Sequence, residues 1–444
     1  MSVSKARLPC LLAAVLWAGH AAGAEEVAYP PRLPDGAAVG TATGPDLLRG
    51  PAPQAGVAVA KTAPTVDFLY YPCQTYKAKT WSCWGDGSVA GGIYYSAIGD
   101  HNAPAGNAFV YAYDPAARNL RLLVDLAKVL RLPEGHYVPG KIHSRLDVGD
   151  DGCVYFATHR GSTGVTTDRY HYKGDWILRH DPRTGKTEVL AHGPVGKQCI
   201  PCSVLDPKRL IFYGGTAAGD PKDERIQFFA FDVQARRVLY SGYGGPGRYM
   251  MLAASTGRVY FTPGLKGPLY RFDPAASLAA PVKLNAEMGL RAATRETPDG
   301  FIYAVGDKDE ATLYRLSTKT EQVEPLGPAP VGSQSYITSL DADPTGRYLY
   351  YIPGAHGGSE KDGAPVVQFD TRERTRKIIA FLHPLMKERF GFTPIGTFSS
   401  ALDEKGALLF ITWNGCVRKN PGQSPTWDAS ALTVLHIPES ERKP

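Results

Sequence analysis

Phe109-Val-Tyr-Ala-Tyr-Asp-Pro115, Trp176-Ile-Leu-Arg-His-Asp-Pro182, Phe228-Phe-Ala-Phe-Asp232, Leu269-Tyr-Arg-Phe-Asp-Pro274, Leu313-Tyr-Arg-Leu-Ser317, Val366-Val-Gln-Phe-Asp370 and Leu432-Thr-Val-Leu-His436 repeat one pattern, an apolar strand that runs into an aspartate-type turn. Ahead of these copies stands a second pattern, a turn followed by an aromatic strand. It occurs as Asp151-Gly-Cys-Val-Tyr-Phe156, Thr256-Gly-Arg-Val-Tyr-Phe261, Asp299-Gly-Phe-Ile-Tyr303, Thr345-Gly-Arg-Tyr-Leu-Tyr-Tyr351 and Lys405-Gly-Ala-Leu-Leu-Phe410. A third run follows the aspartate turn, as in Leu120 to Val124 and Thr187 to Leu190. Short strands in this order make four-stranded antiparallel blades. The aspartate turns recur roughly every 40 to 70 residues, which brackets a blade of about 40 to 50 residues with insertions. The expected fold is therefore all-β, a seven-bladed β-propeller over residues 65–444. Val66 to Tyr70 is expected to join the last blade, because a ring leaves open edges unless its ends are tied.

The N-terminus reads differently. Lys5 and Arg7 precede an apolar run, Leu8 to Ala18, and Ala22-Gly23-Ala24 fits a small-x-small cleavage site. That is the layout of a signal peptide over residues 1–24, and it predicts a secreted or periplasmic protein. Residues 25–64, rich in Pro, Ala and Gly, read as an extended leader or cover strand. No later stretch reaches the roughly 18 to 20 apolar residues of a membrane span. The formal charge of +6, reduced by two on loss of the signal, is modest and unclustered. It gives no nucleic-acid stripe yet would not repel a polyanion. A monomer is expected.

Past the signal the chain has Cys73, Cys83, Cys153, Cys199, Cys202 and Cys416. An even number in an exported chain permits up to three disulfides, and plain core packing is the other common use. Cys199-Ile-Pro-Cys202 could also be half a metal site or a redox pair, although it leads into a strand rather than a helix.

Blade topology sorts side chains without coordinates. Loops from second to third strand, and loops entering the next blade, share one face, where propeller sites usually gather near the channel mouth. His101, His143, His159, Tyr213, Arg225, His356, Trp413 and Asn414 all fall on that face, with Lys141, Arg145 and Arg160 close by. His180, His192 and His436 fall on third or outer strands and read as packing residues. Imidazoles on one rim can work near neutral pH as bases, acids or ligands.

The segment Lys141-Ile-His-Ser-Arg-Leu followed by Asp151-Gly-Cys-Val-Tyr-Phe-Ala-Thr-His159 resembles secreted seven-bladed polysaccharide lyases, chiefly ulvan lyases and more distantly oligogalacturonate lyases. The chain is also similar to uncharacterised secreted bacterial propeller proteins. The lyase resemblance implies β-elimination on an acidic polysaccharide or oligosaccharide. It implies His143 and His159 as the pair that binds and deprotonates the uronate, Tyr213 as base or acid, and Arg225 or Arg160 as carboxylate partner. Substrate contacts would come from His101, Arg145, Arg160, Arg225, His356, Trp413 and Asn414. No organic cofactor is implied. A divalent metal held by His101, His143 and His159 is the alternative way to mask the carboxylate.

Other classes stay open. A glycoside hydrolase needs two opposed carboxylates, for which Asp100 and Asp175 are candidates that serve equally well as turn formers. No Gly-x-Ser-x-Gly elbow or nucleotide-binding loop occurs. A non-catalytic propeller that binds glycans or proteins fits the same fold, with Trp81, Trp84 and Trp413 available for sugar stacking in either case.

Overall fold

The computed structural model describes residues 30–74, 81–160, 163–218, 226–277, 279–309, 311–417 and 427–443. They form seven sheets of four or five strands in a ring, the seven-bladed β-propeller expected. Blade 3 is representative: Gln198–Asp206, Ile211–Ala218, Gln227–Asp232 and Arg237–Tyr243 are neighbours in chain order and run antiparallel. Its innermost strand is buried throughout, whereas the outermost is largely exposed. The apolar cores lie between adjacent blades, as in the cluster of Cys202, Tyr213, Phe228, Met250 and Phe261 that joins blades 3 and 4.

The repeated aspartate has a local cause. Asp232 accepts hydrogen bonds from the amides of Gln234 and Ala235 (2.9 and 2.8 Å), and Asp114 and Asp370 do the same for the two residues that follow their next neighbours or turns. A short carboxylate that caps its own turn fixes these hairpins between third and outer strand.

The ring closes through both chain ends. Thr65–Tyr70 pairs antiparallel with Ala429–His436, and Gly40–Thr43 adds a fifth strand outside it. Val57–Val59 pairs parallel with the outer strand of blade 6, Thr375–Phe381. Part of the Pro/Ala/Gly-rich stretch thus belongs to the sheets. At Gly40 the backbone passes so close to Phe390 that a Cβ would lie 2.7 Å from its ring.

Asp67 locks this closure. Its carboxylate, 4% exposed, accepts from Thr41 Oγ1 (2.6 Å), pairs with Arg118 of blade 1 (3.1 Å) and lies 3.0 Å from His436 Nε2. Burial opposes its ionisation, but the bonds from His436 and Thr41 and the charge of Arg118 outweigh burial and hold its pKa below the ordinary value. A carboxyl depressed in the folded state adds stability above its unfolded pKa, and that stability is lost as pH falls through the folded value. Asp67→Asn is expected to cost about 1–3 kcal/mol at neutral pH, with the deficit shrinking in acid. Chemical denaturation at two pH values checks this; an equal deficit at both would refute the assignment.

Among the described residues these six cysteines form no disulfide; five are buried and Cys73 is half-buried. Cys199 and Cys202 both lie in the inner strand of blade 3, and burial pushes each thiol up to about 12. That is the reverse of what a reactive thiolate needs. Among the described residues no helix is long and apolar enough to cross a membrane.

Candidate site at the channel mouth

The inner strand of blade 2 is broken, and the break builds the site. Lys141–Ile142 and Asp147–Val148 both pair with Val154–His159, but the residues between them leave the ladder. Ser144 fills the gap: its hydroxyl accepts from Ala157 N (2.7 Å) and donates to Ala157 O (2.9 Å). The side chain thereby replaces the missing backbone bonds, while His143 and Arg145 turn into the channel. The opposing segment comes just as close, for a Cβ on Gly85 would lie 2.1 Å from the Ser144 carbonyl oxygen.

Trp84 stands at the centre. Its ring lies 5.1 Å from His101, 6.1 Å from His143, 5.7 Å from His356, 4.6 Å from Phe398 and 5.2 Å from Trp427, centroid to centroid. His143 and His159 are 5.2 Å apart. Four histidines distant in the chain therefore share one mouth. Lys141 Nζ sits 3.8 Å above the Trp84 ring. Arg248 and Arg291 line the same cleft, and Arg291 Nε donates to the Tyr336 hydroxyl (2.7 Å).

The electrostatics are one-sided. Lys141 is 7% exposed and Arg291 4% exposed, yet among the described residues neither they nor Arg248 pair with a carboxylate. Of the nearby carboxylates, Asp86 lines the same cleft without pairing with these cations, and Asp100 and Asp175 are engaged elsewhere. Asp86 accepts from Tyr249 (2.7 Å), and Asp100 accepts from the amides of Asn102 and Asn107 (2.9 and 3.0 Å). Asp175 accepts from Thr158 (2.5 Å), Tyr172 (3.0 Å) and Tyr137 (3.3 Å). Asp100 and Asp175 are thus a loop former and the centre of a hydroxyl cage. Burial raises Asp175 to about 6 against those bonds.

Burial, reinforced by Lys141 and the arginines, holds His143 and His159 well below the ordinary imidazole value. His101 is lowered in the same way by burial and Lys141, and His356 by burial and then Arg291. These imidazoles are neutral near pH 7. Among the described residues His143 Nδ1 and His101 Nε2 are buried without a hydrogen-bond partner.

Several sequence expectations are corrected. Tyr213 is not at the mouth: its strand continues to Ala218, and its buried hydroxyl donates to Gly257 O (3.4 Å) between blades 3 and 4. Gly214 and Gly215 continue the strand, covered by Phe229 and Pro246; such glycines mark close approach. Trp413 and Asn414 likewise lie inside Leu408–Cys416. Trp413 is core, and Asn414 clamps the chain before Trp84, accepting from Cys83 N (2.7 Å) and donating to Cys83 O (2.9 Å). Arg145 lies deeper in the channel, bound to Asp147 (3.0 Å) and Tyr249 (3.2 Å). Arg225 lies outside the described residues. Arg160 follows the strand of His159, and its charge acts on Lys141, His159 and Asp175.

The three-histidine metal reading does not fit. Trp84 lies between His101 and His143, and among the described residues no three His, Cys, Asp or Glu side chains converge on a metal-sized position. Trp81 and Trp413 are fully buried and offer no face to a sugar.

Sequence reading missed Arg248, Arg291 and Tyr336. Each stands within four residues ahead of the first strand of its blade, Met251–Ala253, Ala292–Ala293 and Leu340–Ala342.

No family model and no curated protein matches the chain in sequence. In structure it is similar to a chain of the crystal structure of the mitotic checkpoint complex, with a TM-score of 0.50 and 11% identity over 84% of this chain and 95% of that one. At that identity the likeness bears on architecture alone, and the architecture is a β-propeller.

Proposed function

We propose that this is an exported carbohydrate-active propeller that binds an acidic glycan at the Trp84 mouth and cleaves it by β-elimination. The observation that carries the reading is a neutral imidazole pair, His143 and His159, 5.2 Å apart beside cations that pair with no carboxylate among the described residues. Elimination from a uronate needs the carboxylate charge masked and a base that is unprotonated at working pH. Arg291 and Arg248 suit the first task, since a guanidinium pairs with a carboxylate through two parallel bonds. One imidazole of the pair takes the proton α to the carboxylate, and the C–O bond at the β carbon breaks. Tyr336, whose oxygen already accepts from Arg291, keeps its own proton to give to the departing oxygen. It replaces Tyr213 in that role.

Incubation with a panel of uronate polysaccharides tests this. New ultraviolet absorbance from the double bond conjugated to the carboxylate is the expected result. Reducing ends without that absorbance would mean hydrolysis. Binding without either product would leave a non-catalytic glycan-binding propeller, which the same unpaired cations also favour.

A further inference from the structure

The channel has a second mouth, on the face opposite Trp84, where the turns after the inner strands gather. Two adjoining cavities, of about 250 and 200 Å³, lie there, and every blade contributes to their walls. The smaller is walled by Val148, Val204, Leu205, Leu252 and Ala254 and is apolar. The larger is edged by Asp341, Asp343, Asp403 and Glu404. Arg145, Arg295 and Glu296 border both cavities and so stand between them.

Two of these three are committed. Arg145 pairs with Asp147 (3.0 Å), and Glu296 accepts from Ser255 N and Ser255 Oγ (both 2.8 Å) and from Thr318 Oγ1 (2.7 Å). Arg295 differs: among the described residues its guanidinium has no ion pair or hydrogen bond. Solvent reaches it from the mouth, while the channel walls surround it closely enough that desolvation, then the charge of Arg145, lower its pKa against the pull of Asp147, Asp341 and Glu404. On the acidic side Asp343 and Asp403 cap their own turns, accepting from Tyr348 N (2.7 Å) and Leu408 N (2.8 Å). Asp341 Oδ2 accepts from Ser400 Oγ (2.6 Å), and Glu404 accepts only from Gly92 N at 3.5 Å among the described residues. Ser88 Oγ borders the same cavity; the residue is 1% exposed, and the hydroxyl has no partner among the described residues.

We propose that this rear mouth binds a free α-amino acid with an apolar side chain. The Arg295 guanidinium takes the carboxylate through two parallel bonds. The apolar cavity takes the side chain, and Asp341, Glu404 and the Ser88 hydroxyl accept from the ammonium. An α-amino acid carries all three groups on one carbon, as the guanidinium, the acidic edge and the apolar wall meet around Arg295. The 200 Å³ cavity exceeds the roughly 150 Å³ that takes a benzene ring, so side chains up to that of phenylalanine enter. A simple carboxylate would face the acidic edge, and a simple amine would face two guanidiniums. A metal ion is a poorer occupant, since among the described residues no three acidic or other ligating side chains converge on one position. The site lies at the other end of the channel from the imidazole pair and does not depend on the elimination reading.

Isothermal titration calorimetry of the whole protein with leucine, methionine and phenylalanine tests this. At least one of them is expected to bind, one molecule per chain. Its deaminated and decarboxylated analogues, such as 3-phenylpropionate and phenethylamine for phenylalanine, should each bind at least about tenfold more weakly, the effect of losing a charged hydrogen-bonded contact. Arg295→Gln has no bonded partner to lose, so it should weaken the amino acid by at least about tenfold while the melting temperature holds. No binding of all three amino acids at millimolar concentration, equal binding of either analogue, or parent affinity in Arg295→Gln would each overturn the proposal. The analogue comparison uses the unaltered protein and decides the matter even if the variant folds poorly.

Discussion

Replacing His159 with alanine is expected to lower the rate of uronate elimination by about 10²–10⁴-fold, the usual contribution of a positioned general base, while glycan binding changes much less. The split follows from the division of labour at the mouth, where Arg248 and Arg291 hold charge and the imidazole pair moves the proton. His143→Ala should fall as far, and the double variant little further, since residues that act as a unit lose their effect together. The pH profile carries a second signature. Both imidazoles lie well below the ordinary value because burial and then the charge of Lys141 penalise the protonated ring. The base therefore stays available into mild acid, and the acidic limb falls below that of a free histidine. The alkaline side should decline from about 7, where Lys141 loses its charge and the mouth attracts anions less strongly. Initial rates with each variant, together with calorimetric binding, measure both quantities. If the two alanine variants eliminate at the parent rate, or if binding falls in step with rate, the imidazoles are not the base.

What could be read of this site from sequence depended on whether a residue sits in a loop or in a strand. His101, His159 and His356 follow second strands that end cleanly, and His143 opens a blade, so the repeat alone placed all four on one rim. Tyr213, Trp413 and Asn414 failed for a shared reason: their strands run on past the end of the repeated pattern, through Gly214 and Gly415 under the rings of Phe229 and Phe392. A glycine that admits a neighbouring ring and one that makes a turn look the same in one dimension. The broken inner strand of blade 2 was equally hidden, because it depends on one serine hydroxyl standing in for backbone groups.

The fold was more legible because its signal is repeated. Five of the seven copies report the same local event, a carboxylate capping the next amides, and repetition averages out the irregular copies at Ser317 and His436. The closure strand was visible for a thermodynamic reason, since an open ring would leave two bare edges. The strands at Gly40–Thr43 and Val57–Val59 gave no such signal. They are short, lie at blade edges, and their Pro- and Gly-rich surroundings resemble a linker.

Phe68→Ala is expected to destabilise the protein by about 3–5 kcal/mol, the range for deleting a fully buried aromatic ring. Phe68 lies in the closure strand with no exposed surface. It stacks on Phe390 at 4.8 Å with only 7° between the rings, and packs on Phe392 at 5.5 Å and Tyr70 at 5.0 Å. On its outer side the closing strand pairs with Gly40–Thr43, where Gly40 yields its side-chain space to Phe390. Removing the ring leaves a void that Gly40 cannot fill, at the one blade where the N-terminal strand meets the C-terminal strands. Denaturant titration gives the loss, and a double-mutant cycle with Phe390→Ala should return a coupling of about 0.5–1.5 kcal/mol for the stacked pair. A loss under about 1 kcal/mol, well short of an ordinary core truncation, would mean that the ring stays shut without this contact and that Asp67 with its three partners carries the closure.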